Sequence, residues 1–268
     1  MILPDVQNQT GDYNFPVKAG VSNIKLPIKV RCKDEEALMT TVAEVSMAVR
    51  LPKQLKGINM SRLPIILSEM NTSGWVLDNL KSVLDTMMER MESDAAYIQM
   101  SFPYFYPKKA PVTEHVGMAH CACTFTALKT CEPGSYRFVL GVQVPVMTLC
   151  PCSKEISRYS AHNQRATVAI QISYGDEFVW IEDLVQVADS SASTGLYPIL
   201  KRLDEKFVTE HSYNKPRFVE DLARIVAEKL TSDERVQKFH VFVCSEESIH
   251  QHDAIAEVEG GLTNIWSL

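Results

Sequence analysis

Apolar residues at every second position recur along this chain, and they limit it to folds built largely from half-buried β-strands. Ile24, Leu26, Ile28 and Val30 alternate with polar or charged neighbours across Ile24–Lys33. Leu38–Leu51, Ala95–Tyr106, His115–Thr130, Tyr136–Leu149, Ala166–Tyr174, Val236–Ser245 and Ala254–Val258 read the same way. Two turn signals join strands into hairpins: the charged Lys33-Asp34-Glu35-Glu36, and Cys131-Glu132-Pro133-Gly134-Ser135 with its Pro-Gly pair. Elsewhere the period becomes helical. Trp75–Met91, with Thr72-Ser73 as its cap, carries Val76, Leu77, Leu80 and Leu84 at helical spacing. Ile181–Ala188 and a short Tyr197–Lys201 segment are further helices. Phe218–Leu230, just after Pro216, carries Val219, Leu222, Ile225, Val226 and Leu230 as an apolar stripe.

Each half of the chain thus runs hairpin, helical segment, strand. This order predicts an α+β protein: a polar, turn-rich arm over residues 1–22, one module over 23–112 and a second over 113–268. The modules join near Lys108–Thr113. Hairpin-rich modules leave sheet edges that must be covered or paired, so closure by association of subunits is expected.

With 268 residues the chain can bury a sizeable core. Its net charge of −6 argues against non-specific nucleic-acid binding, which needs a basic surface. Local clusters of Lys and Arg still permit a small anionic ligand. Met1-Ile2-Leu3-Pro4-Asp5 shows no basic region leading into an apolar core. The longest apolar run, Phe138–Cys150, is interrupted by Gly141, Gln143 and Pro145. A cytoplasmic protein with no membrane partner is the expectation. The 7 Cys, an odd number, favour thiols that pack, react or bind metal over a disulfide framework.

Chemistry concentrates between two predicted strands, in Leu149-Cys150-Pro151-Cys152-Ser153-Lys154-Glu155 and Ala161-His162-Asn163-Gln164-Arg165. A thiolate and an imidazole are metal ligands, and a thiolate is also a nucleophile. Cys-x-Cys alone is weak evidence, because free Cys often packs as a small hydrophobe. Three later groups add to it. Leu200–Lys206 mixes basic and acidic residues and on composition alone reads as a solvated charged turn. Glu220 opens a helix, where a carboxylate suits the dipole whatever else it does. Glu246-Glu247-Ser248-Ile249-His250-Gln251-His252-Asp253 sets two imidazoles among carboxylates at a strand's end, an arrangement that tunes His as a general acid or base. His120-Cys121-Ala122-Cys123 is metal-friendly in composition. Its strand spacing puts the two thiols on one face and His120 on the other, which is read as packing.

Taken together, these motifs resemble the type IB GTP cyclohydrolase family. They are Leu149–Glu155, Ala161–Arg165, Tyr197–Glu210, Pro216-Arg217-Phe218-Val219-Glu220-Asp221 and Glu246-Glu247-Ser248-Ile249-His250, joined by Pro4-Asp5-Val6-Gln7 and Met60-Ser61-Arg62. The resemblance spans nearly the whole chain. It implies the tunnelling fold, in which antiparallel sheets carry helices on one side and join across subunits into barrels. It implies homotetramers with active sites at subunit interfaces. It also implies conversion of GTP and water to formate and 7,8-dihydroneopterin triphosphate, the first step of folate biosynthesis. Carried over residue by residue, Cys150, His162 and Glu205 are ligands of a divalent metal, Mn or Zn, and Cys150 also has a catalytic role. Three protein ligands with an open position suit a metal that activates water. Glu220 is the carboxylate that anchors guanine. His250 is the catalytic histidine and Glu247 its partner. Arg62, Arg165, Lys201 and Arg202, with Lys154, are candidates for the triphosphate. The alternatives are a tunnelling-fold nitrile reductase, whose Glu-Ser-Lys-Ser-type reductant motif is missing here, and a non-catalytic metal- or purine-binding oligomer.

Overall fold

The computed structural model describes residues 9–11, 13–33, 38–70 and 80–262. Strands carry most of it, as the alternation predicts. In chain order the elements are β1 (Val17–Arg31), β2 (Leu38–Leu51), α1 (Arg62–Met70), α2 (Leu80–Arg90), β3 (Ala95–Lys109), β4 (Val116–Thr130) and β5 (Arg137–Leu149). There follow α3 (Pro151–Ile156), β6 (Asn163–Tyr174), α4 (Ile181–Ser191), β7 (Thr194–Gly195), α5 (Arg202–Asn214), α6 (Val219–Thr231), β8 (Val236–Ser245) and β9 (Ala254–Gly260). Hydrogen-bonded neighbours run β1-β2-β3-β4-β5-β6-β8-β9, with β7 on β5. The pairings of β1 with β2, β2 with β3, β5 with β6, β6 with β8 and β8 with β9 are antiparallel.

Packing divides the described residues into two units. One draws on 1–31, 37–102 and 124–139, the other on 32–36, 103–123 and 140–268. In the first, β1 and β2 form the expected hairpin, with Arg31 opposite Leu38. Its turn at 34–37 lies outside the described residues. β1 begins at Val17, inside the segment read as an arm. Helix α1 has no counterpart among the predicted helices. Pro64 is tolerated in its first turn, where backbone N–H groups have no helical partner, and Leu63, Ile66 and Leu67 give it a buried stripe. The predicted helix over Trp75–Met91 is present as α2 from Leu80. Residues 71–79, including its proposed cap, lie outside the described residues. Arg62 opens α1 and donates from Nη1 to the Arg90 carbonyl at 2.9 Å, satisfying a carbonyl at the end of α2.

In the second unit the core faces of β5, β6 and β8 present Val142, Val144, Val146, then Val168, Ile170, then Val241, Val243, all at 1% exposure or less. Helix α6 packs against β8 and β9 and buries Val219, Leu222, Ala223, Val226, Ala227 and Leu230, an i, i+3, i+4, i+7 stripe. Helix α4 is pinned to β3 at both ends: Tyr104 bonds Glu182 in its first turn, and Lys108 bonds Asp189 near its last at 2.5 Å.

Helices α4, α5 and α6 start alike. In each, the aspartate three residues after the flanking position accepts that position's backbone N–H: Asp183 from Trp180 at 3.3 Å, Asp204 from Lys201 at 2.9 Å, Asp221 from Phe218 at 3.3 Å. This corrects the short helix expected over Tyr197–Lys201. Asp204 holds Lys201 outside the helix, which therefore runs from Arg202 to Asn214. Among the described residues no helix is long and apolar enough to cross a membrane.

Candidate active site

The end of β5 is the point on which the second unit's separate segments converge. Thr148 Oγ1 meets Ser245 Oγ at the end of β8, 3.2 Å away and buried. The Leu149 N–H donates to Ser193 Oγ at 3.0 Å, and its carbonyl accepts from the Arg217 N–H at 3.0 Å. The Cys150 N–H donates to the His162 carbonyl at 3.1 Å, and the Glu246 N–H to the Arg165 carbonyl at 2.9 Å. Bonds from residues 148–150 and 165 thus bring the segment after α4, the entry to α6 and the loop after β8 to the Cys150 turn.

Cys150 flanks the six-residue α3, and Pro151 fits its first position, where no N–H is needed. The Ser153 N–H donates to Cys150 Sγ at 3.4 Å. Ser153 Oγ accepts from the His162 N–H at 3.2 Å, closing the loop on itself. Cys150 is half-buried and Cys152 exposed. His162 is half-buried. Its Nδ1 lies 2.9 Å from Gln164 Oε1 and 3.4 Å from Ser248 Oγ. Gln164 in turn donates from Nε2 to Glu247 Oε1 at 3.2 Å. Cys150, His162 and Glu247 therefore share one hydrogen-bonded constellation.

Among the described residues, the side chains of the remaining predicted residues make no hydrogen bond to those of Cys150, His162, Gln164 or Glu247. Glu205, in the first turn of α5, is exposed, and among the described residues Cys150, His162 and Glu205 do not bring all three ligand atoms within 4.8 Å of one another. Its neighbour Asp204 is fully buried and fixes the turn. Asp204 Oδ1 accepts from the Val112 and Thr113 N–H groups at 2.9 and 2.8 Å, and Oδ2 from Thr113 Oγ1 at 2.6 Å and Lys201 N at 2.9 Å. Burial by itself would raise the Asp204 carboxyl. The bonds from Thr113, Lys201 and Val112 outweigh it and hold the group far below the usual carboxylate range. Glu220, in the first turn of α6, is exposed, as are Arg165, Lys201 and Arg202. His250 is exposed and stacks on His252 with ring centroids 5.0 Å apart. Lys154 Nζ is engaged, donating to the Tyr213 carbonyl at 2.5 Å and lying 4.3 Å from that ring's centroid. Arg62 belongs to the first unit.

Two Cys-rich or His-rich features fall outside this constellation. Cys121 and Cys123 are buried on one face with their Sγ atoms 3.7 Å apart, and His120 is exposed on the other, in keeping with strand packing. On the hairpin of β8 and β9, His240, Glu257 and Glu259 bring ligand-type atoms within 4.8 Å of one another and form a possible metal site. Its imidazole differs from that of His162: Nε2 bonds Glu257 directly, while Nδ1 is buried without a partner. Metal-ligating imidazoles are ordinarily steadied by an acceptor on the second nitrogen. His162 has such an acceptor in Gln164, and its Nε2 has no hydrogen-bond partner among the described residues. By residue type and by this support, a thiolate at Cys150 and an imidazole at His162 suit a divalent ion such as Zn or Mn; His240, supported by Glu257, meets the same condition on its other nitrogen.

The motif reading missed Gln164, Thr148, Ser245 and Asp204. For the first three a signal was present. Gln164 precedes Ala166, Val168 and Ile170 at every second position, Thr148 follows Val142, Val144 and Val146, and Ser245 follows Val241 and Val243. A polar residue on the core face of a strand needs a partner. Asp204 carried no such mark, because its partners, Val112 and Thr113, lie 91 or more residues away.

Comparison with known proteins now places the chain. Uricase from Arthrobacter globiformis aligns with a TM-score of 0.55 over 95% of this chain and 98% of that one, at 9% identity. A uricase from Bacillus fastidious gives 0.56 over 91% and 92%, at 10% identity. At such identities only the fold is shared, and it defines the class: an α+β protein of the tunnelling fold. The family model for type I GTP cyclohydrolase folE2 matches residues 3–256. Relatives named GTP cyclohydrolase FolE2 are 43% identical in Citrifermentans bemidjiense (96% of this chain, 94% of the relative) and 44% identical in Caldicellulosiruptor saccharolyticus (96% and 98%). The chain belongs to the FolE2 family of type I GTP cyclohydrolases, as the motif resemblance anticipated.

Proposed function

We propose that this chain is a GTP cyclohydrolase that converts GTP and water to formate and 7,8-dihydroneopterin triphosphate, the first step of folate biosynthesis. It acts as a cytoplasmic homotetramer with active sites at subunit interfaces. Family membership supports the reaction. The observation that carries the site is the constellation in which Cys150, His162 and Glu247 are joined through backbone bonds and Gln164.

Cys150, His162 and Glu205 would hold the divalent metal, Mn or Zn. When bound, it supplies the Lewis acidity that makes water a nucleophile at neutral pH. The chain's own residues do the rest. The Glu220 carboxylate accepts two parallel hydrogen bonds from the N1–H and N2–H₂ edge of guanine, fixing the base. Its place in the first turn of α6 sets it at the positive end of the helix dipole. Water adds at C8. His250 gives a proton to the imidazole ring nitrogen as the ring opens, and Glu247 orients or reloads that proton. A second addition of water releases formate, after which the ribose rearranges and the pterin ring closes. Arg165, Lys201, Arg202, Lys154 and Arg62 are the cations available for the triphosphate. Glu205, Glu220 and His250 are exposed on the single chain. A pocket that excludes water from them needs further walls, which supports a site completed by a partner copy.

The test is direct. Metal-stripped protein is given GTP with Mn or Zn restored, and pterin fluorescence after oxidation is read together with formate release. Metal-dependent appearance of both is expected. NADPH oxidation with a nitrile-bearing deazaguanine, and no formate from GTP, would replace this reading with the nitrile reductase.

A further inference from the structure

Gln164 stands between two groups that the proposed reaction uses and belongs to neither role. It lies on the core face of β6, opposite Thr148 on β5, and is 9% exposed. Its amide spans His162 and Glu247, with Oε1 2.9 Å from His162 Nδ1 and Nε2 3.2 Å from Glu247 Oε1.

The carboxylate decides which way that amide faces. An ionised carboxylate can only accept, so Gln164 must present its NH₂ to Glu247 and its oxygen to the imidazole. The flipped amide would set oxygen against oxygen on a nearly buried side chain. Because Oε1 can only accept, His162 Nδ1 must donate. A neutral imidazole carries one N–H, so Nε2 is left as the lone pair. Ser248 Oγ, 3.4 Å from Nδ1, is also able to accept and is compatible with this assignment. We infer that Gln164 is a positioning residue: by reading the Glu247 carboxylate through its amide, it locks His162 in the Nδ1–H tautomer, the form whose Nε2 can ligate a divalent metal. This inference rests on the proposed metal role of His162. It makes Glu247 part of the machinery that prepares the metal site as well as of proton transfer.

A residue that merely fills space would not set a tautomer, and the experiment uses that difference. Metal-free full-length protein, labelled with ¹⁵N histidine and assigned by comparison with His162→Ala, should show His162 protonated on Nδ1. Gln164→Leu, close in size but without an acceptor, should lose that preference. It should bind Zn or Mn about 10–100-fold more weakly in competition with a chromophoric chelator. The swap Gln164→Glu/Glu247→Gln keeps an acceptor against Nδ1 and a matched donor and acceptor between the two side chains, and its metal affinity should stay within a fewfold of wild type. Thermal unfolding of the metal-free variants checks that each is folded. An Nε2–H tautomer in the wild type overturns the inference whatever the variants do. So does wild-type affinity in Gln164→Leu, or equal weakening by Gln164→Leu and by the swap. His162→Ala separates this from failure of the site reading. If it leaves metal affinity intact, the ligand assignment itself is wrong. If it abolishes binding while Gln164→Leu does not, only the tautomer inference falls.

Discussion

Two imidazoles of the second unit, His162 and His240, each sit near a glutamate, and the carboxylate acts on them in opposite ways. At His240 contact is direct: Nε2 bonds Glu257, and Nδ1 is buried without a partner on a residue 1% exposed. A proton on Nδ1 would be an unsatisfied buried donor, which is costly, so the proton belongs on Nε2, facing the carboxylate. At His162 an amide intervenes, and the same acceptor logic passed through Gln164 puts the proton on Nδ1. The first arrangement spends the metal-binding nitrogen on a hydrogen bond across two strands. The second leaves Nε2 without a hydrogen-bond partner among the described residues. The two imidazoles thus differ in which nitrogen is left without a hydrogen bond among the described residues: Nδ1 at His240, where it is buried, and Nε2 at His162.

The contrast can be broken by experiment. The heaviest blow should come from Cys150→Ala, expected to cut pterin formation by at least about 10³-fold. Retained activity would remove the β5–β6 loop from the centre of the mechanism. Next, His162→Ala should weaken Zn or Mn binding by on the order of 10²-fold or more, whereas His240→Gln, which keeps a donor toward Glu257, should leave it within about twofold. The reverse pattern in a chelator competition would move the metal to the hairpin.

A third effect concerns the rigid platform beneath Glu205. Asp204→Asn would face an NH₂ toward groups that are themselves donors, and should lower Tm by roughly 5 °C or more. The Asp204 carboxyl is depressed in the folded state, so its stabilisation is complete above the ordinary carboxyl range, near pH 4. It is lost as pH falls through the lowered folded value. The Tm gap between wild type and Asp204→Asn should therefore be constant near neutrality and narrow below about pH 4. A gap that widens in acid would contradict the assignment. Last, Lys154→Met removes a cation from the Tyr213 ring and carbonyl, and should cost no more than about 1–2 kcal/mol in denaturant unfolding.

Period-two alternation was enough to place nearly every strand, because a sheet with one covered face must alternate. β1 was read too short, since Val17, Ala19 and Val21 alternate out of phase with Ile24, Leu26 and Ile28, and the irregularity between Val21 and Ile24 that joins the two phases is seen only in the pairing with β2. Helix α1 hid behind Pro64, which is harmless in a first turn. Helix α3 hid behind its own brevity. In the site, the residue types with chemistry of their own, Cys150, His162 and Glu247, were legible. The residues that orient them were less so, because Gln164 and Asp204 act through partners brought near only by folding. The grouping of His240 with Glu257 and Glu259 had no trace in a motif. It depends on the register that sets His240 opposite Glu259.

The bonds that converge on the end of β5 have a kinetic corollary. Thr148 and Ser245 are 97 residues apart, Leu149 and Ser193 are 44 apart, and Gln164 and Glu247 are 83 apart. Contacts of such long range repay their loop-closure entropy only after most of the intervening chain is ordered. The Cys150–His162 turn, proposed to hold the metal, should therefore be among the last parts of the second unit to form during refolding. Metal uptake followed in real time would serve as a clock for the end of folding, lagging behind the recovery of sheet.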